Sequence, residues 1–174
     1  AALWSWAHGR TSPTSTAMPT ITGQLSRSAG PTKLSSRAPL DSQMIISLSR
    51  LLQAQVESAG GFIGHIGGDD FMMLLPLEHW ESVCQQILAS FEVMAPSFYE
   101  EEDRQRGGLS IESRQGSVSF FPFVSVSVAV KPISDPGQWK ALDIASQLSE
   151  LKHQAKKIAG NSLFVERRGC CVGP

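Results

Sequence analysis

Two consecutive acids, Asp69 and Asp70, follow two consecutive glycines, Gly67 and Gly68, between two apolar runs. Phe62, Ile63 and Ile66 read as the end of one strand, and Phe71 to Leu75 as the start of the next. The glycines tolerate the positive φ that a two-residue hairpin turn requires, and they let a strand or a ligand come close. The acids would then sit on a rigid hairpin, with neighbouring side chains directed to opposite faces of the sheet. A carboxylate held there could bind a hard cation such as Mg2+, which takes a few oxygens together with a substrate's phosphates. The same four residues also read as an ordinary solvated turn, because Gly and Asp are common turn formers. Three lysines, Lys152, Lys156 and Lys157, crowd the end of the last expected helix, where cations suit the helix dipole.

The elements that would position these groups are legible from periodicity. Asp41 reads as the cap of a helix running to about Glu57, with Met44, Ile45, Leu48, Leu51, Leu52 and Val56 on its apolar side. Ser58-Ala59-Gly60-Gly61 ends that helix ahead of the hairpin. After Pro76, Trp80, Val83, Ile87, Phe91, Met94 and Phe98 recur at spacings of three and four, with Pro96 predicting a break before Phe98. Such a stripe is core, and Cys84 beside it reads as a small buried residue. Glu100 to Arg104 is a charge run of the kind found at a solvated helix end or loop. A small hairpin follows from Gly107 to Phe121, turning at Gln115-Gly116.

Val124 to Val130 alternates strictly, valine on one face and Ser125, Ser127 and Ala129 on the other. The small face would let a helix or a ligand approach. A last helix starting near Asp135-Pro136-Gly137 would carry Leu142, Ala145, Leu148, Leu151, Ala155 and Ile158, stop at Gly160-Asn161 and give way to a strand over Ser162–Val165. This order predicts an α+β fold, with helices on one face of a mostly antiparallel sheet.

The 174 residues suffice for one domain with a real core, and the net charge of −1 gives no general attraction to nucleic acid or anionic membrane. No apolar run approaches the roughly 20 residues of a membrane span. Three cysteines make neither a disulfide framework nor a zinc pattern, and a reducing, cytoplasmic location is the simplest expectation. Residues 1–40 differ from the rest. They contain none of the 16 acids, and Ser, Thr, Pro, Ala and Gly make up 26 of the 40 residues. That composition predicts a disordered segment. Translation in the wrong frame would also produce it. Residues 169–174 read as a tail.

Several separated pieces now resemble one family. Gly64-His65-Ile66-Gly67-Gly68-Asp69-Asp70-Phe71 resembles the signature hairpin of GGDEF domains, the family that includes diguanylate cyclases. Asp41 with Met44, Ile45 and Leu48 is similar to the family's Gly-Asp-x-x-Leu helix start, with Leu40 replacing the glycine. Val126 to Ala129 sits where its Ser-Ile-Gly strand sits. Ala155-Lys156 and Gly160-Asn161 resemble its closing Ala-Lys…Gly-x-Asn motif. Phe98-Tyr99, Asp103-Arg104, the Gly107–Ser119 hairpin and Phe121-Pro122 resemble a subgroup found beside EAL and CBS domains. The resemblance covers residues 41–168. It implies a ferredoxin-like nucleotide-cyclase palm, incomplete at its N-terminus.

The resemblance also implies chemistry. An active GGDEF domain binds GTP, works as a homodimer and joins two GTPs into cyclic di-GMP by attack of a 3′-hydroxyl on an α-phosphate. By resemblance, Asp69 and Asp70 are the catalytic hairpin acids and Mg2+ ligands, Gly67 and Gly68 admit the nucleotide, Asp41 reads guanine, and Lys156 meets the phosphates.

This chain departs from the pattern in several places. Asp70 stands where Glu is usual. The family's first metal aspartate, on a strand before Asp41, has no counterpart in the acid-free residues 1–40. Gly160 stands where the family usually has an arginine, four residues after the phosphate lysine, and Ser58 and Gly61 replace the product-binding Arg and Asp. The chain as written is therefore expected to cyclise GTP poorly. Its expected role is a degenerate GTP-binding regulatory module acting on an attached or partner EAL domain. A diguanylate cyclase, if residues 1–40 are a frame error, and a ferredoxin-like interaction domain without nucleotide are the alternatives.

Overall fold

Leu48, Leu52 and Val56 repeat every four residues, so they fall on one side of a helix and must be covered by something apolar. In the computed structural model, which describes residues 20–26, 38–112, 115–133 and 139–166, that helix (α1) spans Ala38–Ser58 and these side chains are fully buried. The expected cap moves: the helix begins three residues before Asp41, which lies in the first turn rather than at its boundary. The other end matches the expectation. Gly60 takes a left-handed φ of 72°, its N–H bonds Glu57 O, and the Gly61 N–H bonds Val56 O at 2.9 Å. This pair of bonds satisfies carbonyls the helix would leave open.

Strands β2 (Phe62–Gly67) and β3 (Asp70–Leu74) form the hairpin. Helix α2 (Trp80–Met94) follows and passes into a 3-10 turn over Ala95–Phe98, where Pro96 breaks the α pattern. A short helix α3 (Glu101–Arg106) leads to β4 (Gly108–Glu112) and β5 (Val118–Pro122), a separate two-stranded sheet. Tyr99 ties this excursion down: its ring packs on Phe123 and its hydroxyl accepts the Val124 N–H at 3.0 Å. Strand β6 (Ser125–Lys131), helix α4 (Ala141–Ala155) and strand β7 (Ser162–Val165) complete the order. The expected helix start at Asp135-Pro136-Gly137 lies outside the described residues.

The main departure from the sequence reading lies in residues 1–40, expected to lack regular structure. Thr20–Ser26 form a strand, β1, at the centre of the sheet. The order among the described residues is β2-β3-β1-β6-β7. β1 pairs antiparallel with β3 on one side and with β6 on the other, and among the described strands only β6–β7 is parallel. The physical reason is backbone demand. Without β1, the facing edges of β3 and β6 would have no partners inside the sheet, and buried N–H and C=O groups require them. Pairing of that kind needs no alternating side-chain pattern.

The sheet is covered on both faces, not on one as the element order predicted. Phe71, Met73 and Leu75 join Val124, Val126, Val128 and Val130 in a core with Met44, Leu48, Leu52 and Val56 of α1 and Val83, Cys84, Ile87 and Phe91 of α2. Helix α4 packs against β6, β7 and β1. The other face of β6 carries Ser127 and Ala129, both fully buried, and their small size allows the helix to settle there. Leu148 and Ala155 are the buried residues of α4. Leu142 and Ile158, expected on its apolar side, are exposed: Leu142 lies in the first turn and Ile158 beyond the last.

Candidate functional site

The hairpin turn is one residue later than the two glycines imply. Gly67 still pairs with Asp70, and the turn is made by Gly68 and Asp69. The cause is a register shift between His65 and Gly67, which leaves Ile66 without a partner in the ladder. Gly68 has φ 58°, a conformation that favours glycine at the first turn position. A Cβ added at Gly67 or Gly68 would meet nothing within 4 Å, so the space over the turn is open to a ligand. His65 braces the turn from the side. Its Nε2–H donates to Gly68 O at 2.9 Å, and its ring stacks on Phe71 at 4.7 Å.

Asp70 begins β3 on the face opposite Phe71, and therefore looks toward α4. Its Oδ2 accepts a hydrogen bond from Lys152 Nζ at 3.1 Å, an ion pair across 82 residues of sequence. Both side chains are largely covered, at 29% and 23% exposure. The other oxygen, Oδ1, is buried and has no hydrogen-bond partner among the described residues. The register row running from Asp70 across the sheet continues through Gln24, Ser127 and Ser162. No second acid stands in that row.

These positions decide how a metal would fit. Mg2+ demands near-octahedral oxygen ligands at 2.0–2.1 Å. One oxygen of Asp70 is already held by an ammonium, and the other is enclosed. Among the described residues there is no group of three or more His, Cys, Asp or Glu side chains able to hold a metal. Asp69, half-buried in the turn, is one carboxylate and does not replace a set. The described residues do not make a Mg2+ site.

The other expected site residues are dispersed. Lys156 is exposed at the C-cap of α4 and makes no ion pair among the described residues. Asp41 lies in the first turn of α1, a helix that packs along β2 and β3. Between α1 and β2 is a cleft of about 290 Å³ lined by Ser49, Gln53, Glu57, Phe62 and His65. It opens on the Phe71 side of the hairpin, away from the Asp70–Lys152 pair, and is close to the lower limit of small-ligand pockets, roughly 300 Å³.

Lys152 is the residue that sequence reasoning undervalued. Taken with Lys156 and Lys157, it reads only as a complement to the helix dipole. Its spacing held the better signal. It falls four residues after Leu148 and three before Ala155, on the stripe that faces the sheet. A lysine on a buried stripe must reach a partner or water, and Lys152 reaches Asp70.

Position 61 explains one departure from the GGDEF pattern. A Cβ there would lie 2.5 Å from Leu74 O and 2.8 Å from side-chain carbons of Leu75 and Val56. No side chain fits between α1 and β3 at this point, so the product-binding acid that the resemblance would put here has no room.

No family model matches the chain, and no curated protein matches it by sequence. Solved structures do match in fold. An EAL/GGDEF domain protein from M. capsulatus superposes with a TM-score of 0.55 at 13% identity, covering 94% of this chain and 92% of that one. The diguanylate cyclase SiaD from Pseudomonas aeruginosa, solved with its activator SiaC, gives 0.56 at 13% identity over 87% of this chain and 50% of its own. The GGDEF domain of DgcB from Caulobacter crescentus, solved with c-di-GMP, gives 0.51 at 13% identity over 86% and 77%. Among the described residues, no helix is long and apolar enough to cross a membrane.

Proposed function

We propose that this chain, which has the GGDEF-domain fold, is a degenerate GTP-binding module of cyclic di-GMP signalling that regulates rather than synthesises. The observation that carries the reading is the Asp70–Lys152 ion pair at the hairpin. In a cyclase the hairpin acids hold metal-bound phosphates. Here one of them is neutralised by a lysine, and the register position beside it is Gln24. A site so arranged no longer repels a triphosphate with an unpaired Asp70, but it lacks the paired acids that phosphoryl transfer through metal ions would use.

Each expected site residue but Asp69 has a part in this reading. The open space over Gly67 and Gly68 admits the triphosphate. Lys156 supplies positive charge to it, and Lys152 neutralises the Asp70 carboxylate that would repel it. Asp41, at the start of α1, is the group for the guanine edge. Asp70 thus positions Lys152 and does not itself contact a metal. The partners are GTP, a second GGDEF domain, and an attached or separate EAL domain. The combination of EAL and GGDEF in the M. capsulatus protein supports this last partner. A cytoplasmic location suits a GTP-binding module.

The test is calorimetric titration of GTP into the full chain, paired with radiolabelled GTP turnover. Saturable GTP binding with no cyclic di-GMP above the protein-free background is expected. Absence of GTP binding, or steady production of cyclic di-GMP, would overturn the reading. An Asp70→Ala variant with unchanged GTP affinity would remove the hairpin from the site.

A further inference from the structure

We infer that Lys152 is a built-in counterion that keeps divalent cations off Asp70, so that a nucleoside triphosphate at this hairpin is held by protein ammonium groups and not through a metal. The second half of this statement rests on the GTP-binding reading above; the first does not.

The geometry makes the ammonium and a dication competitors for one carboxylate. Lys152 Nζ lies 3.1 Å from Oδ2, the position from which a cation would approach that oxygen. Oδ1 faces inward and is closed to solvent. A metal at Asp70 would therefore have to displace the lysine or sit beside it, and two positive centres a few ångströms apart repel strongly in a half-buried setting. The lysine is also well placed to stay. It projects from the last turn of α4, where the helix dipole favours a cation. Its side chain is 23% exposed, so leaving Asp70 would cost it a partner without returning it fully to water. No other acid in the row Asp70, Gln24, Ser127, Ser162 would help a metal compete. A triphosphate meets the opposite balance: the ammonium attracts it and the Asp70 carboxylate repels it, so Lys156, exposed and without an ion pair among the described residues, supplies the unopposed charge.

The experiment is a Mn2+ titration of the full chain followed by electron paramagnetic resonance, with GTP binding measured in parallel in EDTA and in Mg2+. Wild type should leave Mn2+ free. Lys152→Gln should bind it at least about tenfold more tightly, a difference of about 1.4 kcal/mol. Adding Asp70→Asn to that variant should abolish the gain. Lys152→Arg, which keeps the charge, should behave as wild type. GTP affinity of wild type should be the same in EDTA and Mg2+ within about threefold, a difference under 1 kcal/mol. Mn2+ binding by wild type that is lost in Asp70→Asn would overturn the inference, as would a Lys152→Gln variant that folds and gains nothing. GTP binding that requires Mg2+ would overturn its second half. If GTP binds in neither buffer, the GTP-binding reading fails, and the Mn2+ titration still decides what Lys152 does.

Discussion

Gly60 and Gly61 are neighbours, yet substituting them should have unequal effects, because each is glycine for a different reason. At Gly61 an added Cβ meets the carbonyl oxygen of Leu74 at 2.5 Å, and Leu74 is itself paired to Phe62 in the hairpin ladder. Relief requires β2 to move away from α1 or β3 to shift. Forcing extra atoms into a packed region costs about 1–3 kcal/mol, and a backbone neighbour puts Gly61→Ala near the upper end, about 3 kcal/mol. At Gly60 the added Cβ meets nothing, and the cost is the left-handed φ of 72°, about 1 kcal/mol for a non-glycine residue. For a domain of this size each kcal/mol lowers the melting temperature by about 2–4 °C. Gly61→Ala should therefore lose about 6–12 °C and Gly60→Ala about 2–4 °C. Differential scanning calorimetry measures both. Because Gly61 sets where β2 leaves α1, its variant should also weaken GTP binding at the hairpin, while Gly60→Ala should not. Equal losses, or a larger loss at Gly60, would refute the claim that close packing fixes position 61.

Three other predictions test how the frame is held. Lys131 is 2% exposed, pairs with Glu166 at 2.7 Å and lies 4.3 Å from the centre of the Trp139 ring. Glu166→Gln leaves a buried charge short of its partner and should destabilise by about 3 kcal/mol in urea unfolding. Asn161 accepts the Val126 N–H at 2.8 Å and donates to Leu88 O at 3.4 Å, joining β6 to α2. Asn161→Ala should cost about 1–3 kcal/mol and speed amide exchange at Val126. Burial, followed by the charge of Glu81, pushes the Cys84 thiol up from 9.0 to about 12. The unfolded chain then loses this proton first, so stability should fall as pH rises from about 9 to about 12. With Cys170 and Cys171 replaced by serine, native protein should give no fast-reacting thiol at pH 8.

Periodic burial on one face is what the sequence displayed well. Leu48, Leu52 and Val56 on α1, Val83, Ile87 and Phe91 on α2, and the valines of β6 all face the core that their spacing implied. Ser162–Val165 is a strand over the residues expected. The central strand was not legible. Thr20–Ser26 is defined by backbone pairing on both sides, and that leaves no mark on hydrophobic pattern. The turn moved by one residue because a bulge at Ile66 depends on both strands at once. The site was half legible. Asp70 was visible as a carboxylate on a hairpin, but its partner comes from a helix 82 residues later, and only the fold brings them together.

The position of β1 also sets a timetable. The strand at the centre of the sheet comes first among the described elements, but its partners come much later: Ile21 pairs with Met73 and with Val130. During synthesis the hairpin β2–β3 and its helices can form while β1 has nothing to dock between. Closing such long loops slows folding compared with local pairing. Completion of the sheet around β1 thus waits for β6, the later of its two partners. Until Lys131 has been made, β1 has only β3 to pair with, and its other edge is open to another chain.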